Sequence, residues 1–354
     1  MNLTILSVAY PLSPVVPDAV GGAEQILSYL DEALVRAGHR SIVLACAGSR
    51  VRGNLVEIAE TPARLDRAAS ATAHEQVRAA LAATLARYPV DLVHMHGIDF
   101  PAYLPPPDVP ALATLHLPPD WYPKEIFEGP AERLWLNCVS STQHAACPAS
   151  RCLLAPIRNG IPIGRAASHA KRNFVLSLAR ICPEKGIHLA LDAARRADVA
   201  AVIAGKVFPY AEHEQYFATQ IGPRLDRQRR YIGPVSGARK RRLLAAARCV
   251  LIPSLVAETS SLVAAEAQAA GTPVIAFRHG ALVDAIEHDV TGYLVDDASE
   301  MAEAIARVHE IDPEACRAFA RRHFSLERMI QSYFVTYEKL AGLRHSPACV
   351  ASAA

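Results

Sequence analysis

Residues 173–180, NFVLSLAR, repeat the character of residues 3–10, LTILSVAY. Each is a short apolar run followed by alanine-rich sequence of helical period. That is the signature of a βαβ unit, whose parallel strand is buried on both faces and so reads as an almost continuous apolar run. The restart half way along the chain says that the architecture is built twice. Outward from the first run, strands are expected at 3–9, 41–45, 92–96, 111–115, 136–139 and 153–155, with helices at 24–37 and 64–87. Outward from the second, strands are expected at 174–178, 200–203, 230–232, 250–253, 274–276 and 293–295. Between the two lies 155–168, APIRNGIPIGRAAS, whose Pro, Gly and Ser content reads as a linker. The expected fold class is α/β, with two Rossmann-like domains whose parallel sheets face each other across a cleft.

Length agrees, since 354 residues exceed what one hydrophobic core usually organises. A formal net charge of +2 gives no electrostatic argument for nucleic acid, and none is expected as a partner. Met1-Asn-Leu-Thr-Ile-Leu lacks the basic segment of a secretory signal, and no apolar run approaches the roughly 20 residues of a membrane span. The eight cysteines include no C-x-x-C pair and read as free thiols of a reducing compartment, so a cytoplasmic location is expected. Neither the dinucleotide fingerprint G-x-G-x-x-G nor a Walker phosphate loop is present, which removes weight from hydride transfer and P-loop chemistry.

In such sheets ligands sit beyond the carboxyl ends of the strands. One strand end there stands out: CVLIPS (249–254) leads into ETSSLVAAE (258–266). Ser260 or Ser261 suits the N-cap of a helix reaching Ala270, and Gly271 suits its C′ position. The exposed N–H groups and positive dipole end of such a helix favour a phosphate. Glu258 before the helix and Glu266 within it bracket that place, and their natural partners are hydroxyl groups flanking the phosphate. Taken singly, each glutamate reads as a solvated surface acid, the commonest state of that residue. No D-x-D metal motif occurs, and His94 with His96 is a pair without a third ligand, read as packing or an acceptor contact. The basic run 224–242 reads as a solvated face, with docking on anionic lipid at the inner membrane face or on a phosphorylated acceptor as its functional alternative.

Taken together, these segments resemble the retaining glycosyltransferases of family four, which have the GT-B fold. The run 252–295 is similar to that family's E-x7-E region, and LSLARICPEKGIHLAL (176–191) to its G-R-x-x-x-x-K-G segment. In the first half, GGAEQILSYLDEALVRAGHRSIVLA (21–45), VDLVHMHG (90–97), ATLH (113–116), VSSTQ (139–143) and IRNGIPI (157–163) match in order and spacing, so nearly the whole chain is covered. The resemblance implies domains at 1–165 and 172–322, a C-terminal helix at about 325–343 packing back on the first domain, and a disordered tail at 346–354.

It also implies roles. Arg180 and Lys185 would bind the diphosphate of a nucleoside-diphosphate sugar donor, replacing a metal. Glu258 would accept hydrogen bonds from the transferred sugar and Glu266 from the ribose. Backbone N–H groups at Ser260, Ser261 and Leu262 would hold phosphate oxygens, with Gly205 near the sugar or base. Gly21 and Gly22 would allow close approach of a helix start to the donor phosphate or acceptor, and His116 would line the reacting centre. The implied activity is transfer of a hexose-like unit, with retained configuration and no metal or other cofactor, from a UDP- or GDP-type donor to a hydroxyl acceptor. A nucleotide-sugar epimerase or hydrolase, or a non-catalytic nucleotide-sugar binder, is the alternative. Thr259 and Ser260 stand where the family usually has Gly and an aromatic residue, so donor identity does not carry over by analogy.

Overall fold

In a computed structural model of the chain, the described residues are 2–17, 19, 21–58, 66–129, 134–164 and 170–342. They form two compact units. The first comprises Met1–Val139, Gln143–Ile157 and Arg328–Ala354, and the second Ser140–Thr142 and Arg158–Glu327.

The first unit holds six described strands: β1 (Thr4–Val8), β2 (Arg40–Cys46), β3 (Asn54–Ile58), β4 (Leu92–Met95), β5 (Ala111–Leu115) and β6 (Leu134–Cys138). All are parallel in the order β3-β2-β1-β4-β5-β6. The second holds β7 (Phe174–Leu178), β8 (Ala200–Ala204), β9 (Arg229–Tyr231), β10 (Cys249–Ile252), β11 (Val274–Phe277) and β12 (Gly292–Val295). They too are parallel, in the order β12-β11-β10-β7-β8-β9. Counted from the first strand of each half, the two orders are the same doubly wound one. The strand order reverses between β1 and β4 in one sheet and between β7 and β10 in the other, and such a switch point is where a crevice opens beyond the strand ends.

The central strands are apolar because both of their faces are covered: β1, β4 and β5 are buried along their whole length. The helix Gly22–Arg36 lays Ile26, Leu27, Leu30 and Leu34 against the first sheet. The C-terminal helix Leu326–Gly342 returns to the first unit, where Tyr333 and Tyr337 are fully buried. Each ring is a large apolar body whose burial stabilises by about 2–3 kcal/mol. Their hydroxyls find partners in Thr114 and His94, at 3.2 and 2.8 Å.

Two expected elements differ. The first sheet takes as its edge strand Asn54–Ile58, which the sequence hides because an edge strand half open to solvent carries Asn54 and Glu57 among its apolar residues. The apolar stretch 153–155 makes only a one-residue bridge, Leu153 to Leu136, and is no strand. The second unit begins at Arg158, ahead of the expected 172, because Ile161 pairs with Ser325 and its N–H donates to the Phe324 carbonyl at 2.9 Å. Part of the linker, 165–169, and the tail 346–354 lie outside the described residues. All seven described cysteines are free thiols, although Cys147 and Cys152 are half-buried rather than buried. No helix of the described residues is long and apolar enough to cross a membrane.

Candidate active site

In the second unit the loops after β7 and β10, the two strands of the switch point, are packed into one another. After β7 the chain makes a short 3-10 turn, Pro183–Lys185, and Gly186 then takes a left-handed conformation at φ 58°. A side chain at Gly186 would strike the Pro253 carbonyl beyond β10. The Glu184 carbonyl accepts from the Leu255 N–H at 2.8 Å and from Ser254 Oγ at 3.3 Å. On the far side, the Glu258 carbonyl accepts from the Ala281 N–H at 2.6 Å, and Gly280, at φ 58°, lies so close that a Cβ there would strike the Glu258 backbone. His279 Nδ1 donates to the Ser254 carbonyl at 2.8 Å, which fixes that ring's tautomer because a carbonyl only accepts. Glu258 is thus held from both flanks by main chain.

Within this frame Lys185 Nζ meets Glu258 Oε1 at 2.5 Å, with both side chains largely shielded from solvent. Seventy-three positions apart in sequence, the expected diphosphate cation and the expected sugar carboxylate are brought into direct contact. Arg180 is half-buried and makes no side-chain hydrogen bond or ion pair among the described residues, so its guanidinium is available to a ligand. Ser261, not Ser260, caps the helix Leu262–Ala269, accepting from the Ala264 N–H at 3.3 Å. Such a cap stabilises by about 1 kcal/mol. Ala264, Ala265 and Ala267 keep that helix thin and buried against its neighbours, and Gly271 ends it at φ 71°. Gly205 closes β8, its carbonyl accepting from the Tyr231 hydroxyl at 2.8 Å.

Glu266 has a partner that the sequence did not announce. Lys240, on the helix Gly237–Ala246, reaches Glu266 Oε1 at 2.6 Å, again with both side chains mostly buried. Lys240 sits in the basic run read as a solvated face. Other members of that run are also paired: Arg224 with Asp192 at 3.0 Å and Arg229 with Asp226 at 2.5 Å. Five of the run's eight basic residues, Arg227, Arg230, Arg239, Arg241 and Arg242, are exposed as a solvated face requires, and the one that reaches Glu266 is Lys240. The signal missed in the sequence was its place one helix before β10, which brings it over the helix that carries Glu266.

The first unit has a different chemistry at the corresponding strand ends. His94 and His96 follow each other across the end of β4, and His116 follows β5. His94 has both ring nitrogens engaged, Nδ1 with the Tyr337 hydroxyl at 2.8 Å and Nε2 with Thr114 Oγ1 at 2.7 Å, which makes it a satisfied core residue with no nitrogen to spare. His96 Nδ1 and His116 Nε2 lie 3.0 Å apart, and the main-chain N–H of His116 donates to the Tyr122 hydroxyl at 3.1 Å. Burial holds all three below the ordinary histidine range, His116 at about 4, so the cluster is uncharged at neutral pH. Gly21 is the N-cap of the helix that begins at Gly22, after β1. The place beside Gly21 is taken by the carboxylate of Glu24, a buried acid in the first turn, so an incoming anion at this helix start has to displace it.

Known proteins match in the same two halves. Residues 20–157 match the model described as Glycosyltransferase Family 4, and residues 164–323 the one described as Glycosyl transferases group 1. The chain belongs to glycosyltransferase family four. It adopts the GT-B fold: a glycosyltransferase involved in avilamycin A biosynthesis superposes with a TM-score of 0.70 at 25% identity, covering 96% of this chain and 98% of that one. The Anabaena protein HepE, solved with UDP-glucose, superposes with a TM-score of 0.73 at 20% identity over 96% of this chain and all of its own. A D-inositol 3-phosphate glycosyltransferase of Saccharomonospora viridis is 35% identical over 136 residues, which are 36% of this chain and 31% of that relative. The chain thus spans less than a third of the length of that curated relative.

Proposed function

We propose that this glycosyltransferase moves a hexose-like unit from a nucleoside-diphosphate sugar to a hydroxyl acceptor with retention of configuration. The observation that carries the reading is the Lys185–Glu258 pair at 2.5 Å, set at the sheet's switch point between half-buried Arg180 and the Ser261-capped helix. Arg180 and Lys185 supply the positive charge that a departing diphosphate needs, in a partly dry site where each charge counts for more than in water. On this reading the donor inserts between Lys185 and Glu258: the ammonium turns to phosphate oxygens, while the carboxylate turns to sugar hydroxyls. Glu266 would likewise exchange part of its contact with Lys240 for the ribose hydroxyls. The leaving phosphate itself takes the acceptor proton, so no protein nucleophile and no metal enters the reaction. The HepE complex makes a UDP-sugar the first donor to try, and the name of the curated relative makes a phosphorylated polyol the first acceptor.

The test is release of nucleoside diphosphate from UDP-, GDP- and dTDP-sugars with and without acceptor. Release that needs the acceptor supports transfer. Release without it identifies a hydrolase, and binding without release a silent nucleotide-sugar binder. The anomeric configuration of the product, read by NMR coupling constants, decides retention.

A further inference from the structure

Within the Arg180–Lys185 loop, and completed from a neighbouring helix, is a second cluster that the transfer reading does not use. Cys182 and Glu184 flank Pro183 in the 3-10 turn after β7, and His213 comes from the helix Ala211–Tyr216. One ligand atom from each lies within 4.8 Å of the others. Cys182 is fully buried and His213 is 7% exposed. Two of the three present buried atoms without a hydrogen-bond partner among the described residues: His213 Nδ1 and Glu184 Oε2. An imidazole N–H and a carboxylate so close together would normally satisfy one another. Here His213 and Glu184 stand close enough to share an ion, yet His213 Nδ1 and Glu184 Oε2 do not bond each other. The Cys182 thiol, its proton directed at the Arg180 carbonyl at 3.8 Å, is the third ligand of the group.

We propose that Cys182, Glu184 and His213 form a binding site for a borderline-soft divalent cation, with Zn2+ the first to test. Thiolate and imidazole ligands select against Mg2+ and Ca2+, which require oxygen. Zinc bonds of about 2.0–2.3 Å close on one centre when the ligand atoms approach somewhat further, a small side-chain rotation from their present places. On binding, the S–H proton of Cys182 passes to solvent and the sulfur bonds the metal. One thiolate, one carboxylate and a neutral imidazole then balance the 2+ charge, so the neighbouring Arg180 guanidinium meets a neutral group. The fourth position is left to water. The ion clips the loop that carries Arg180 and Lys185 to the helix Ala211–Tyr216. The site stands independently of the transfer reading, and no reaction step passes through the metal.

The full chain, stripped with chelator and dialysed, is titrated with Zn2+ against a chromophoric chelator and separately with Co2+ followed by absorption. One equivalent per chain is expected, with a thiolate-to-Co2+ charge-transfer band and a rise in Tm. Cys182→Ala removes the band and weakens Zn2+ binding at least roughly tenfold, the lower bound for losing even an outer partner of a metal ligand. His213→Gln weakens binding to a similar degree while keeping the band, and it leaves the buried thiol in place should Cys182→Ala disturb folding. Cys349→Ala, which removes the thiol four residues after His345, changes nothing. Absence of a stoichiometric ion, survival of the band in Cys182→Ala, or its loss in Cys349→Ala overturns the assignment.

Discussion

The two sheets of this chain share one strand order and one switch-point geometry, yet the loops at their carboxyl ends carry opposite chemistry. Beyond β4 and β5 stand three neutral histidines, of which His94 bonds the Tyr337 hydroxyl of the C-terminal helix and Thr114, while His96 meets His116. Beyond β7 and β10 stand two shielded lysine–glutamate pairs and Arg180, whose side chain has no ion pair among the described residues. The same topology positions both sets, so the fold decides where a site lies and the side chains decide what it does. The second unit holds its charge in lysine–glutamate pairs, whereas the histidine cluster of the first is uncharged.

This contrast can be broken at its strongest point. Lys185→Ala is expected to lower kcat for sugar transfer by about 10²–10³, or roughly 2.7–4 kcal/mol, the range for removing one group that stabilises developing negative charge. Arg180→Ala should behave alike in steady-state kinetics. His116→Gln, in the uncharged set, should cost less than either; a larger loss there would move the centre of the chemistry to the first unit.

A smaller effect is expected from Gly280→Ala. The new Cβ meets the Glu258 backbone at a left-handed position, so urea denaturation should show a loss of about 2 kcal/mol or more. Lys240→Met leaves Glu266 shielded without its cation and should cost about 1–3 kcal/mol in the ligand-free protein. A saturating donor should recover part of that loss if the ribose hydroxyls take the place of Lys240. A full double-mutant cycle with Glu266→Gln measures the coupling directly.

The most gradual effect separates the sets by pH. The histidines bind a proton in the unfolded chain below about 6.5, while in the folded chain His116 holds out to about 4 and His94 and His96 lie well below their ordinary value. The unfolded state therefore binds more protons as pH falls from 6.5 towards 4, and stability must decline in that window, by up to about 1.4 kcal/mol per pH unit for each histidine that differs. Denaturant midpoints measured from pH 7 to pH 4 should show this slope, and His94→Gln should flatten it. A flat profile in the parent protein would show that the cluster charges without unfolding.

Much of this was legible in residue order. Central strands such as β1, β5 and β7 are short apolar runs because both faces are covered, and that needs no partner to be recognised. Ser261 and Gly271 mark their helix by local chemistry alone. The edge strand Asn54–Ile58 was not legible, because half its side chains meet solvent and its pairing with β2 is what makes it a strand. Nor was the role of Lys240, which as one cation in a basic run looks like surface until the helix Gly237–Ala246 is placed over Glu266.

By itself, then, the sequence determined a twice-built doubly wound chain and the loops where its chemistry would lie, since apolar period, caps and turns act over a few residues. Tertiary structure decided who meets whom: Lys185 with Glu258, Lys240 with Glu266, and Cys182 and Glu184 with His213. Such pairings depend on distances between segments dozens of residues apart, and an electrostatic contact exists only once packing has brought the two charges within a few ångströms and shut out most of the water between them.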